Sequence, residues 1–271
     1  MSKLRCLFVG LGAIGQRHLR NLRTLLGDRA EVLAYRHRHC DVVLTDELSA
    51  DRGARLEETY NLQVFNDLDE ALERAPHVGF VCNPTSLHVP AALKLADAGC
   101  HLFIEKPLSH SSDDVERLIH LVDQKGLVGV VGYQFRFHPM VVAVRGWLSS
   151  GAIGRVLAVR AEMGERLTDW HPYEDYRQMY ASRKDLGGGV ILTQIHELDY
   201  LYSFFGRPIR VYAVGGHLSS LDVDVEDVVS MMLEYRLDGR VVPVHLHRDY
   251  VQRPPRRGCQ IIGDAGTIIM N

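Results

Sequence analysis

Apolar and polar positions follow two different rhythms along this chain. In the first half, short apolar runs alternate with amphipathic segments, the pattern of βα units wound around a parallel sheet. Strands are predicted over Leu4 to Val9, Val32 to Tyr35, Val64 to Phe65, Val78 to Cys82, Leu102 to Ile104 and Val128 to Tyr133. Helices are expected over Ile14 to Leu26, around Ala54, after Asp67, over Leu87 to Ala98 and over Asp113 to Lys125. Asp67 is placed to cap its helix by accepting orphan first-turn amides, and Ser111 and Ser112 are expected to cap the last one.

Past Pro139 the rhythm changes. A helix over Val141 to Ser149 leads through Gly151 and Gly154 into longer runs with two-residue alternation, which suits an antiparallel sheet with one buried face. Val229, Met231, Leu233 and Tyr235 share one face, as do Val242, Val244 and Leu246. Between these runs Asp238-Gly239 supplies two turn residues that tolerate positive φ, a hairpin signal. A helix from Ile191 to Phe205 lies inside this half, and Gly266 to Met270 reads as a last strand. The expected fold is α/β: an N-terminal Rossmann-type parallel sheet over 1–133, then an α+β domain with an open, mostly antiparallel sheet over 134–271.

Composition narrows the partners more than the fold. With 31 Lys and Arg against 34 Asp and Glu, the formal net charge is −3, so no global attraction draws the chain to a phosphate backbone. Nucleic acid is not an expected partner. No apolar stretch approaches the length that spans a bilayer, and the run after Lys3 and Arg5 is interrupted by Gly10, Gly12 and Gly15. Five cysteines without a C-x-x-C pair read as reduced thiols, and the expected location is cytoplasmic.

Gly10-Leu11-Gly12-Ala13-Ile14-Gly15 follows a predicted strand and opens a predicted helix. In that context the glycines allow a tight turn, backbone approach to a pyrophosphate and close helix packing, with the helix N-terminus receiving the phosphates. A site for NAD would place an acid about 20 residues on, to hold the ribose 2′-hydroxyl. Here the second strand ends Tyr35-Arg36-His37-Arg38, and Arg36 and Arg38 suit a 2′-phosphate. NADP is therefore favoured over NAD, the alternative being a solvated basic loop.

Three further stretches carry a resemblance. Asn83-Pro84-Thr85-Ser86-Leu87-His88, Glu105-Lys106-Pro107 and Gly132-Tyr133-Gln134-Phe135-Arg136-Phe137-His138-Pro139, followed by Gly187-Gly188-Gly189 and His196-Glu197-Leu198-Asp199, resemble the Gfo/Idh/MocA family of NAD(P)-dependent oxidoreductases. The resemblance implies hydride transfer at a secondary hydroxyl of a sugar, cyclitol or nucleotide sugar. It also implies that Lys106 lies between nicotinamide and substrate, that Gln134 lies beside the nicotinamide, and that His196 faces the reacting hydroxyl. Asn83, Pro84, His88 and Glu105 are then expected around the cofactor, and Arg136, Thr193 and Asp199 around the substrate; His18 matches the family's usual spacing. Relatives usually continue past the last strand, so the chain is expected to be short at its C-terminal end.

The chemistry stands beside that resemblance. Hydride leaves a carbinol carbon only as the hydroxyl proton leaves, which calls for a base titrating near neutrality, and histidine is suited to it. A lysine ammonium stabilises the developing alkoxide. His196 and Lys106 fit these roles, against the plainer readings of a core histidine and a surface lysine. The family often carries an aspartate four residues before the histidine; here Leu192 stands there, with Thr193 next, and a continuous helix would put Leu192 on the face of His196. That departure motivates an alternative, a catalytically silent NADP-binding sensor or scaffold. Asp199 shares a helical face with His196 and is expected to orient it or touch substrate. The loop around Trp170 to Arg177 is read either as substrate-binding, through Tyr176 and Arg177, or as ordinary packing. No metal is expected: Tyr200 breaks an H-E-x-x-H pattern, and His245 and His247 have no third ligand nearby in sequence. Tyr212, Val214 and Met232 suggest an apolar sheet surface, and hence a homodimer or higher homo-oligomer.

Overall fold

In a computed structural model, residues 3–36, 42–45 and 49–271 are described, and the chain divides into two compact units, Met1–Gly132 and Tyr133–Asn271. Each is taken by itself.

The first unit begins with β1 (Leu4–Val9), α1 (Ala13–Leu26) and β2 (Ala30–Tyr35), followed by a small hairpin of β3 (Val43–Leu44) and β4 (Ala50–Asp51). Then come α2 (Leu56–Tyr60), β5 (Gln63–Phe65), α3 (Leu68–Glu73), β6 (Val78–Val81), α4 (His88–Asp97), β7 (His101–Ile104), α5 (Val115–Gln124) and β8 (Gly129–Val131). Six strands form a sheet in the order β5-β2-β1-β6-β7-β8, every pair parallel. The central strands are mostly apolar, as burial on both faces requires. Leu7 and Val9 join the α4 side, while Cys6 and Phe8 join the α1 side, where Leu19 and Leu22 of α1 are buried. Asp67 caps α3, its carboxylate accepting from the amides of Asp69 and Glu70. The serine caps are corrected: α5 starts from Asp114 in a left-handed conformation (φ 56°), and Ser111 instead closes a turn by accepting from the Asp113 amide.

The second unit contains α6 (Pro139–Ser149), β9 (Val156–Gly164), α7 (Val190–Thr193), α8 (His196–Phe205), β10 (Arg210–Gly216), β11 (Val228–Leu237), β12 (Arg240–Asp249), β13 (Arg256–Gly263) and β14 (Thr267–Met270). Its sheet runs β10-β11-β12-β9-β13-β14, antiparallel except for the parallel pair β12 and β9. Asp238 and Gly239, at φ 48° and 77°, turn the chain so that Leu237 pairs with Arg240. Val229, Met231, Leu233 and Tyr235 are buried with Val244, Leu246 and, from the helices, Val141, Val144, Tyr200 and Leu201. On the opposite face one row crosses all six strands, Tyr212, Met232, His245, Arg160, Gln260 and Ile269 in turn. Its apolar members Tyr212, Met232 and Ile269 are exposed, as is Val214 beside them.

The single helix expected over Ile191 to Phe205 is two helices. Gln194 leaves helical geometry (φ −96°, ψ 43°), and its buried side chain donates to the Asp249 carbonyl. A tertiary bond thus outweighs local helix propensity. Leu192 and His196 lie in different helices, so the face-sharing inferred from a continuous helix does not hold.

Candidate functional site

Strand order reverses between β1 and β6, and in open α/β sheets the crevice at the carboxyl ends of such strands is where ligands bind. Gly10 follows β1 and Asn83 follows β6, and the two backbones touch: a Cβ on Gly10 (φ 96°) would stand 2.9 Å from the Asn83 nitrogen. A Cβ on Gly15 would collide with the Gly10 carbonyl oxygen, while one on Gly12 would meet nothing within 4 Å. The α1 helix has no side-chain cap and no acid in its first turn, so its N-terminal amides suit an anion. Asn83 Oδ1 is buried without a hydrogen-bond partner. An open cradle of amides, a glycine fit and an orphaned acceptor match a dinucleotide's pyrophosphate and its neighbouring groups.

Around this cradle several of the expected contact residues also brace the backbone. His88 is buried, with Nδ1 2.8 Å from the Pro107 carbonyl and Nε2 2.9 Å from the Asn83 carbonyl. It braces the Asn83 and Lys106-Pro107 segments against each other. Burial pushes its pKa down, against the carbonyls and Glu105, which favour the imidazolium. Glu105 is also buried: Oε1 lies 2.6 Å from His18 Nε2, and Oε2 accepts from the Lys106 amide at 3.0 Å. Both residues hold the Lys106 backbone. Arg36 is only 5% exposed and pairs with Glu57 at 3.5 Å, so the expected open guanidinium is a buried, paired one. Arg38 lies outside the described residues.

In the second unit, His196 opens α8 and is buried. Gln134 Nε2 stands 3.3 Å from its Nε2, and the Phe135 ring stacks on the imidazole with centroids 4.6 Å apart. Asp199 does not turn toward His196: it accepts a two-pronged bond from Arg136, from Nε at 2.9 Å and Nη2 at 2.7 Å. Hydrogen bonding fixes Asp199 as the partner of a cation instead. The Arg177 fork is likewise closed on a carboxylate, Asp175, with Nη2 to Oδ2 at 2.6 Å. The Tyr176 hydroxyl accepts from the Asp222 amide while the ring packs on the core. Thr193 is buried, close to the Tyr250 hydroxyl.

A cluster that sequence reasoning missed lies under His196. Glu197, fully buried, meets Arg248 Nη1 at 3.5 Å and Arg257 Nε at 3.0 Å. Arg248 is itself fully buried, and desolvation pulls its pKa down to about 10. Arg257 Cζ lies over the Phe135 ring, 4.7 Å from its centroid. A signal was present, because Val242, Val244, Leu246 and Arg248 fall on one strand face, and so do Arg257, Cys259 and Ile261. Among the described residues no group of three His, Cys, Asp or Glu side chains could hold a metal, and His247 bonds Ser230 and Asp249.

A glycine-rich βα turn at the switch point of a parallel sheet, followed by a unit with an open sheet, defines a two-unit dinucleotide-binding α/β protein. Comparison with known proteins makes this specific. Residues 4–133 match the family model described as an oxidoreductase family with an NAD-binding Rossmann fold, and residues 141–269 match the GFO/IDH/MocA C-terminal domain. The chain belongs to the Gfo/Idh/MocA oxidoreductase family. Levoglucosan dehydrogenase of Pseudarthrobacter phenanthrenivorans is 27% identical over 72% of this chain and 55% of its own. The dTDP-3,4-didehydro-2,6-dideoxy-alpha-D-glucose 3-reductase of Streptomyces violaceoruber is 31% identical over 64% of this chain and 49% of its own. The chain thus spans about half the length of the curated relatives it matches. The fold matches WlbA dehydrogenase of Bordetella pertussis, solved with NADH and UDP-GlcNAcA, at a TM-score of 0.81 and 23% identity, over 98% of this chain and 79% of that one. It matches myo-inositol 2-dehydrogenase of Lactobacillus plantarum at a TM-score of 0.80 and 18% identity, over 99% and 76%. No helix among the described residues is long and apolar enough to cross a membrane.

Proposed function

We propose that this chain transfers hydride between a nicotinamide cofactor and a secondary hydroxyl or ketone of a sugar, cyclitol or nucleotide sugar. The observation that carries the reading is His196, a buried imidazole beside Gln134 at the start of α8, in a chain whose first unit holds Lys106 just beyond a parallel strand. The bound nicotinamide supplies the hydride acceptor or donor. His196 takes the hydroxyl proton, and the Lys106 ammonium favours the alkoxide as the proton leaves. Glu105 and His88 hold the Lys106 segment, which keeps the ammonium from wandering. Asp199 and Arg136 present a neutral, hydrogen-bonded pair suited to a polyol.

The cofactor is read as NADP in preference to NAD. Arg36 is committed to Glu57, so the preference rests on Arg38 and on a β2 end without an acid. Calorimetric titration with both cofactors tests it, and tighter NAD binding refutes it. The exposed apolar row on the second sheet is read as a homodimer contact; a monodisperse monomer at micromolar concentration in light scattering refutes that.

The activity itself is tested with Lys106→Met. Turnover should fall at least about a hundredfold, the scale of a lost charge-stabilising group, while cofactor binding is kept. A fully active variant sinks the mechanism. Cofactor binding with no change in nicotinamide absorbance across a broad panel of sugars and nucleotide sugars would replace it with a silent cofactor-binding sensor.

A further inference from the structure

Most arginines in the second unit that approach a carboxylate are closed on it. The forks of Arg136, Arg177 and Arg183 are taken by Asp199, Asp175 and Asp185. Arg257 differs. Its Nε faces the fully buried Glu197, while Nη1 and Nη2 have no hydrogen-bond partner among the described residues, and the side chain remains 37% exposed. Glu197 is shared with Arg248, so this one carboxylate meets two guanidinium groups. Glu165 feels the Arg257 charge but makes no ion pair with it within 4.0 Å, and burial pushes the Glu165 carboxyl up.

The position of Arg257 is also fixed. Its Cζ and the His196 ring each lie within 4.7 Å of the Phe135 ring centre, so guanidinium and imidazole are less than about 10 Å apart. A guanidinium held at Nε by a buried carboxylate and placed over an aromatic ring keeps its Nη edge as a preorganised two-pronged donor. That edge matches a carboxylate or a phosphate oxygen pair, one sugar length from the base.

We propose that Arg257 is a specificity-determining residue that receives an anionic group of the substrate through its two free amino groups. This rests on reading the second unit as the substrate domain and His196 as the base, and it narrows the substrate to sugars that carry a carboxylate or phosphate.

The test measures binding by calorimetry to the full chain with NADP present. Probes are glucose, glucuronate and glucose 6-phosphate, and the pair UDP-N-acetylglucosamine and its 6-carboxylate. The wild type should bind at least one probe bearing the added carboxylate or phosphate about tenfold or more tighter than its counterpart with a hydroxyl there, the scale of hydrogen bonds to a charged group. Whether glucuronate or glucose 6-phosphate is preferred distinguishes carboxylate from phosphate. Arg257→Met should bring the preference to within about threefold of unity. Arg257→Lys keeps a cation on Glu197 without the fork, and it should lose most of the preference even if the Met variant does not fold. No preference in the wild type, no binding of any probe, or a preference unchanged in both variants overturns the proposal. Absorbance at the nicotinamide band is followed separately. An Arg257-dependent preference without hydride transfer upholds the anion site and sinks the proposed activity. Turnover of neutral sugars indifferent to Arg257 does the reverse.

Discussion

Glu197 is the side chain whose change has the most calculable consequence. Its carboxylate is fully buried between Arg248, also fully buried, and Arg257. Replacing it by glutamine keeps the volume and removes the charge, leaving the Arg248 cation in the interior with no carboxylate against it. Breaking a buried pair from one side costs about 3–5 kcal/mol. The upper part of that range is expected, because Arg248 makes no directed hydrogen bond to offset the loss. Both tryptophans, Trp147 and Trp170, lie in the second unit, so tryptophan fluorescence in urea follows that unit selectively. With a slope of about 2 kcal/mol/M, the midpoint for Glu197→Gln should fall by about 2 M. The double variant Glu197→Gln with Arg248→Met should regain most of that loss, since removing both charges removes the unpaired one. A midpoint drop below about 0.5 M, or two single-variant losses that simply add, refutes the assignment of a coupled buried charge pair.

Two other outcomes follow from geometry in the first unit. His88 has its pKa lowered by burial, so the folded state binds this proton less tightly than the unfolded chain does. Its stabilisation is then complete above about pH 6.5 and is lost as pH falls through the unfolded pKa toward the folded one. Wild-type melting temperature should drop more steeply than that of His88→Asn between pH 7.5 and 5; parallel curves refute the argument. Gly10→Ala places a Cβ 2.9 Å from the Asn83 nitrogen at φ 96°, and NADP affinity should weaken about tenfold or more from the strain and displaced loop. Unchanged affinity by calorimetry would show that the turn adapts elsewhere.

Local signals were the legible ones. The parallel sheet shows in the sequence because both-face burial demands unbroken apolar runs such as Leu7 to Val9, and the antiparallel hairpin shows because Asp238-Gly239 needs no help from the rest of the chain. What stayed hidden was set at a distance. The break before His196 has no glycine or proline to mark it; it is made by Gln194 reaching the Asp249 carbonyl, 55 residues away. Arg136 finds Asp199 across 63 residues, and that pairing, not helical adjacency to His196, decides what Asp199 does. The candidate-site histidine, lysine and glycines were visible as motifs. Their supports, Glu105 on the Lys106 amide and Glu197 in the first turn of α8, are buried charges whose roles depend on partners that spacing does not reveal.

The first turn of α8 then does two things at once. Ile195 offers no side-chain cap, and the turn carries two acids, Glu197 and Asp199, which the positive end of the helix favours. Each is tied to arginine from elsewhere: Asp199 to Arg136 of the turn Gln134–Phe137, and Glu197 to Arg248 of β12 and Arg257 of β13. Three cations from three elements therefore fix the rotation of this short helix about its axis, and the direction of the His196 ring follows from that rotation. A buried charge cluster that a hydrophobic core would replace without loss of stability is in this way the device that aims the proposed base. Glu197→Gln should consequently lower turnover by more than its residual folded population explains, while NADP affinity, set in the first unit, stays near the wild-type value. If turnover fell only in proportion to the unfolded fraction, the cluster would be structural alone.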